Sequence, residues 1–203
     1  MIRKTKEEVL EQFRCASIQD AAMAVIARKG IDETTIQDIA DEAGIAKGTV
    51  YIYFRDRDEL LAKTADRLFE SLLADLVPAF DAQGPFAEKL HGLALRQLQF
   101  FDEHRALFRA TMALSQREHE TNKKRSGCFG QYMARLEGLF AEAGERGELR
   151  KDLDPHAVAA VYRDCMRGVI LRRLDLKQKS RNSVEDDARF LVSIFLRGVL
   201  SGE

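Results

Sequence analysis

Residues 44–54 read GIAKGTVYIYF. Within this stretch Lys47, Thr49, Tyr51 and Tyr53 bring an ammonium and three hydroxyls into seven positions, and no carboxylate falls between Ala43 and Arg55. On a helix turning about 100° per residue, Val50 and Phe54 share one face, extended by Ala46, and that face is the buried one. Gly48 and Ile52 fall nearly opposite, Thr49 and Tyr51 flank them, and Lys47 and Tyr53 lie nearer the edges. Such a surface lacks the Glu and Lys that normally solvate a helix. Its groups suit a polyanion with a readable edge. Gly48 removes a side chain and lets the backbone approach closely. Lys47 and the helix N-terminus favour phosphate. Tyr51 and Tyr53 can donate to phosphate oxygens. Thr49 can bond a base edge, and Ile52 can meet a thymine methyl. A small core helix with half-buried tyrosines accounts for the same composition, so the stretch alone leaves both readings open.

The elements around it supply the geometry. Thr5 with Glu8 has the spacing of a capping box and opens a helix carrying Val9, Phe13, Ile18, Ala21, Ala22, Val25 and Ile26 inward. This helix should stop at Gly30. Thr34 with Gln37 has the spacing of a second box, ahead of Ile36, Ile39, Ala40 and Ala43. A tight turn at Gly44 leads to the short helix from about Ala46 to Tyr53. Two helices joined in this way have helix-turn-helix geometry, with the second helix in the major groove. Asp56 with Glu59 starts a long helix through Leu60, Leu68, Leu72 and Leu76, continuing to Pro78.

Helical periodicity continues to the end of the chain, and strand signals are nearly absent. DAQGPFAEKL forms a loop, with Pro85 in the first turn of the next helix. EHRALFRATMALS is a further short helix. GERGELRKDLDP is a second loop, after which Asp154 caps and Pro155 opens a helix. The expected architecture is all-α, about nine helices. The last two helices carry more apolar surface than one buried stripe needs, through Val161, Cys165, Val169, Phe190, Ile194 and Phe195. That surplus points to a partner surface.

The chain has 203 residues and a formal net charge of −1, which argues against unselective coating of nucleic acid. Residues 1–60 hold 9 Lys/Arg and 12 Asp/Glu, a balance of 9 − 12 = −3, so any contact with DNA must use one small face. There is no run of about 18 apolar residues to span a membrane, and the N-terminus lacks the apolar core of a signal peptide. The 3 cysteines, Cys15, Cys128 and Cys165, are widely spaced and read as buried thiols in a reducing cytoplasm. Glu88 with His91 matches half of a di-iron carboxylate motif, but no second copy occurs. No Walker loop, GxSxG, HExxH or Rossmann fingerprint occurs. No cofactor and no enzymatic activity are expected.

Residues 34–61, TTIQDIADEAGIAKGTVYIYFRDRDELL, resemble the DNA-binding signature of the TetR family of transcriptional regulators. The resemblance rests on the paired threonines, DIA..AG, KGTVY.YF and the entry to the following helix. AAMAVIARKG resembles the end of that family's first helix, although Ile26 stands where Phe is usual. The specific motif covers residues 18–61. The resemblance implies that Thr35 contacts phosphate and that Lys47, Gly48, Thr49, Tyr51 and Tyr53 form the DNA face. It also implies a phosphate contact for Arg57, which stands where the family usually has Lys. A ligand pocket between later helices is implied too, with Phe69, Phe100, Phe101, Phe108, Met112, Phe129, Tyr132 and Met133 as candidate lining.

The combined expectation is a ligand-responsive regulator, most simply a repressor, that binds a near-palindromic operator as a homodimer and is released by a small hydrophobic effector. Residues 1–55 would bind DNA, and residues 56–203 would sense the ligand and dimerise. The helix from Asp56 to Val77 would act as the lever. A helical metal-carboxylate enzyme and a helical interaction module with a vestigial helix-turn-helix are the alternatives.

Overall fold

The computed structural model describes residues 5–109, 126–174 and 182–199. They form eight helices: α1 (Lys6–Lys29), α2 (Ile36–Glu42), α3 (Lys47–Tyr53), α4 (Arg57–Phe80), α5 (Phe86–Glu103), α6 (Ser126–Glu145), α7 (Pro155–Leu174) and α8 (Val184–Val199). Residues 105–109 are also helical, and the only extended position among the described residues is an isolated bridge at Leu149. The remainder of EHRALFRATMALS and most of QREHETNKKRS lie outside the described residues. Two compact units result: Met1–Leu68 with Ala106–Thr121, and Phe69–Arg105 with Asn122–Glu203. No helix among the described residues is long and apolar enough to cross a membrane.

In the first unit, Ile18, Ala22, Val25, Ile36, Ile39, Ala40, Val50, Phe54 and Leu60 form one buried cluster. The capping box at Thr5 and Glu8 is present, and α1 ends at Gly30, whose φ of 82° few other residues tolerate. The cap of α2 differs from the sequence reading. Thr35 and Asp38 form the box, one residue later than Thr34 and Gln37. Thr34 is instead buried and donates its hydroxyl to Gly30 O at 2.6 Å. Spacing alone could not choose between adjacent threonines; burial beneath the turn does. The periodicity also placed Val9 and Phe13 inward, yet both are exposed, because the first two turns of α1 lie beyond the cluster.

In the second unit α5 packs on α8 and α7, α6 packs on α7, and α7 packs on α8. Leu90, Leu93, Leu98, Leu136, Phe140, Tyr162, Met166 and Phe195 are buried here. Pro85 sits one position before α5, which lacks a side-chain cap from it. The carboxylate of Glu148 fills that role, accepting from Phe86 N at 2.7 Å. Asp154 accepts from His156 N and Ala157 N and so caps α7. Buried Asp187 of α8 accepts from Arg173 of α7 at 2.5 Å and from Arg172 at 3.2 Å. Two cations around one carboxylate offset the desolvation that burial imposes. The cysteines do not all follow the expectation: Cys15 and Cys128 are half-buried, while Cys165 is exposed on the outer face of α7.

Candidate nucleic-acid interface

The turn between α2 and α3 fixes the presentation of α3. Gly44 adopts φ 65°, and Ile45 N–H returns to Ala40 O at 3.0 Å, while Gly44 N–H reaches Asp41 O at 3.2 Å. Ile45 then packs on the core cluster. A left-handed residue after the last helical turn satisfies the final carbonyls and turns the chain sharply. Ala46, expected on the buried face, is the exposed N-cap of α3. Val50 and Phe54 anchor the helix inward, essentially without exposure.

The other face of α3 has no intramolecular explanation. Ile52 is 76% exposed and Tyr51 48%. A Cβ added to Gly48 would meet nothing within 4 Å, so no neighbour in the fold requires a glycine there. The ammonium of Lys47 and the hydroxyls of Thr49, Tyr51 and Tyr53 have no hydrogen-bond partner among the described residues. Tyr53 is half-buried, its ring packed on the core cluster. Thr49 is likewise half-buried.

Five carboxylates of this unit are drawn into pairs elsewhere. Lys29 binds Asp38 at 2.6 Å, Arg28 binds Glu42 at 2.7 Å and Arg67 binds Asp20 at 2.9 Å. Lys63 binds Glu59 at 3.1 Å and Arg55 binds Asp56 at 2.9 Å. Hydrogen bonds from Lys29 and Thr35 hold the pKa of Asp38 down to about 2. The acidic balance of residues 1–60 therefore does not fall on α3.

Thr35 and Arg57 are more constrained than the sequence suggests. The Thr35 hydroxyl donates to Asp38 Oδ2 at 2.8 Å and accepts from Asp38 N at 3.1 Å. Arg57 donates from Nε to Thr34 O at 3.0 Å and from Nη2 to Ile31 O. Its Nη1 lies 3.9 Å from Asp58 Oδ1. Two prongs of the guanidinium thus hold the loop before α2. The two aligned carbonyls come from a turn of the chain, so residue spacing carries no signal for this link.

Of the candidate pocket residues, Phe100 is buried, Phe101, Tyr132, Met133 and Phe69 are half-buried, and Phe129 is exposed. Phe108 is buried but belongs to the first unit, and Met112 lies outside the described residues. Arg163 stands over Phe129 at 5.9 Å, and Tyr132 meets Phe80 edge-on at 6.1 Å. Of the candidate interface residues, Val161, Cys165, Phe190 and Ile194 are exposed and Val169 is half-buried. Phe195 is buried, its ring 5.4 Å from Tyr162 and 5.9 Å from Phe140. Among the described residues no group of three or more His, Cys, Asp or Glu is placed to hold a metal ion.

Residues 18–64 match the family of bacterial regulatory proteins described as the tetR family. An uncharacterized HTH-type transcriptional regulator of Haemophilus influenzae is 36% identical over 88 residues, covering 43% of this chain and 44% of that protein. The match thus spans under half the length of that relative. A fatty acid metabolism regulator protein of Bacillus subtilis is 25% identical over 138 residues, covering 68% of this chain and 71% of its own. The crystal structure of the Bacillus subtilis transcriptional regulator FadR in complex with stearoyl-CoA superposes with a TM-score of 0.75 at 18% identity, covering 90% of this chain and 98% of that one. That likeness is one of fold. Residues 18–64 thus form a helix-turn-helix domain of the tetR family of bacterial regulatory proteins, carried in an all-α chain.

Proposed function

We propose that this protein is a ligand-responsive transcriptional repressor that binds a near-palindromic DNA operator as a homodimer. One observation carries the reading. The outer face of α3 presents Lys47, Thr49, Tyr51 and Ile52 without internal partners, around a glycine that the fold does not need. A helix rigidly anchored by Val50 and Phe54, with hydrogen-bonding capacity unspent, suits insertion into a major groove. Lys47 supplies phosphate attraction, Thr49 and Ile52 read base edges, and Tyr51 and Tyr53 bond the backbone. Thr35 adds a phosphate contact at the start of α2, and Arg57 holds the loop that places it.

Dimerisation uses the outer faces of α7 and α8, where Val161, Cys165, Phe190 and Ile194 are exposed. Two-fold symmetry then sets half-sites about one helical turn or a multiple apart, on the order of 35 Å per turn. The effector is apolar in the main. The name of the fatty acid metabolism regulator and the stearoyl-CoA complex of the structural neighbour support that class, as do the aromatic side chains of the second unit. Ligand acts by favouring a dimer whose recognition helices no longer match successive grooves. Selection of bound fragments from random DNA, followed by a gel shift with and without long-chain acyl compounds, tests the proposal. Recovery of an inverted repeat that the compounds release supports it. Recovery of no enriched sequence refutes it.

A further inference from the structure

Arg55 follows Phe54, the C-cap of α3, and has no part in the interface described so far. Its backbone is fixed from two sides. Phe54 is buried in the core cluster, and the N–H of Arg55 donates to Glu59 Oε2 at 2.7 Å. The side chain is 82% exposed and is held at one point, Nε donating to Asp56 Oδ2 at 2.9 Å. Nη1 and Nη2 have no hydrogen-bond partner among the described residues. Asp56 thus orients the guanidinium and leaves both terminal amino groups available.

Arg57 has the opposite arrangement. It spends Nε on Thr34 O and Nη2 on Ile31 O, and its side chain is only 34% exposed. A phosphate contact from Arg57 would have to break that hold. Arg55 need not leave Asp56 to use its other two nitrogens, and an exposed ion pair contributes little in any case. The neighbouring carboxylates are occupied. Asp56 Oδ1 accepts from Glu59 N at 2.8 Å, Glu59 binds Lys63 at 3.1 Å, and Asp58 lies 3.9 Å from Arg57. Three cations and three carboxylates lie between Arg55 and Lys63 inclusive. This turn therefore meets a polyanion through one placed fork rather than through net charge. A guanidinium with two amino groups unspent matches the paired oxygens of a phosphodiester.

We propose that Arg55 is a further contact of the DNA interface, gripping a backbone phosphate beyond the C-terminal end of α3, and that it takes the phosphate role the family resemblance implies for Arg57. The inference rests on the reading of α3 as a DNA-binding helix and names a further residue of that same site.

The test uses the full chain and the operator recovered by selection from random DNA, with anisotropy followed across salt concentration. Arg55→Ala should bind about tenfold or more weakly, the loss of charge-assisted hydrogen bonds to one phosphate. Its log–log slope should be shallower by about one unit per protomer. Arg55→Lys should recover the slope but not the full affinity. Arg57→Ala should keep the wild-type slope. So should Arg146→Ala, which removes an exposed charge from the second unit. Operators carrying one neutral methylphosphonate each add a readout that a structural role would not move. One position should weaken wild type and leave Arg55→Ala unaffected. A wild-type slope in Arg55→Ala, an equal loss in Arg146→Ala, or a loss confined to Arg57→Ala would overturn the inference. So would an Arg55→Ala protein that responds to every methylphosphonate as wild type does. If wild type enriches no DNA sequence, the DNA-binding reading falls and this inference with it. If wild type binds and Arg55→Ala matches it, only the inference falls.

Discussion

The guanidinium of Arg57 donates to the main-chain carbonyl of Thr34 at 3.0 Å, joining the start of α4 to the loop that precedes α2. A second donation to Ile31 O makes this a two-pronged hold. Thr35, the N-cap of α2, follows directly. Arg57 therefore acts first on the position of Thr35, and an ammonium could not reproduce the fork. Arg57→Ala should cost about 1–2 kcal/mol of stability, the range for charge-assisted bonds at a partly exposed site. Operator affinity should fall with little change in salt dependence, and Arg57→Lys should recover only part of the stability. Chemical denaturation and salt-dependent anisotropy check this. A drop of about one unit in salt slope with stability unchanged would show a direct phosphate contact instead.

Gly48 separates stability from binding. A Cβ there meets nothing within 4 Å, and alanine loses less chain entropy on folding, so Gly48→Ala should stabilise the protein by about 0.5 kcal/mol. The same methyl would stand where the groove wall approaches, and operator affinity should drop about tenfold or more. Thermal melting and gel shift on one preparation measure both. Unchanged affinity would remove Gly48 from the interface.

Asp38 gives a pH signature. The pKa of its carboxyl is held from 3.8 down to about 2, chiefly by the hydrogen bond from Lys29 and then by those from Thr35. A depressed carboxylate contributes stability that is present above its unfolded value and is lost as pH falls through its folded value. Asp38→Asn should therefore melt below wild type at pH 6, and the gap should close between about pH 4 and pH 2. A gap that persists at pH 2 would mean that the destabilisation comes from packing rather than from charge.

Phe190 and Ile194 are exposed on consecutive turns of α8. Charge placed on a self-complementary apolar patch opposes its own copy across a two-fold axis. Phe190→Glu with Ile194→Glu should shift the protein to monomer in sedimentation, keep its helical content, and weaken operator binding because half-sites are no longer engaged in pairs. A double variant that remains dimeric would move the interface elsewhere.

The all-α architecture and most helix limits were legible because 3.6-residue periodicity and caps such as Thr5, Asp154 and Gly30 are local features. The face of α3 was legible for the same reason, with Val50 and Phe54 one turn apart. What sequence could not give depends on neighbours distant along the chain. Thr35 rather than Thr34 caps α2 because Thr34 is buried against Gly30. Arg57 meets carbonyls 23 and 26 residues earlier in the chain. Tyr53 is drawn half inward by the core, and Val9 and Phe13 remain exposed where periodicity placed them inside. Nothing in the sequence marks the buried hydroxyl of Tyr162 as unpartnered among the described residues, because that depends on the helices packed around it.

Lys47 offers the most direct measurement. Its ammonium has no internal partner among the described residues and sits at the first position of α3. Binding of the selected operator by wild type and by Lys47→Ala should be followed across salt concentration. The account predicts weaker binding by Lys47→Ala and a log–log slope shallower by about one unit for each protomer whose lysine no longer meets a phosphate. It also predicts a helical content and melting temperature equal to wild type. Wild-type affinity and slope in Lys47→Ala, with Thr49→Ala and Ile52→Ala equally silent, would contradict a DNA-reading α3.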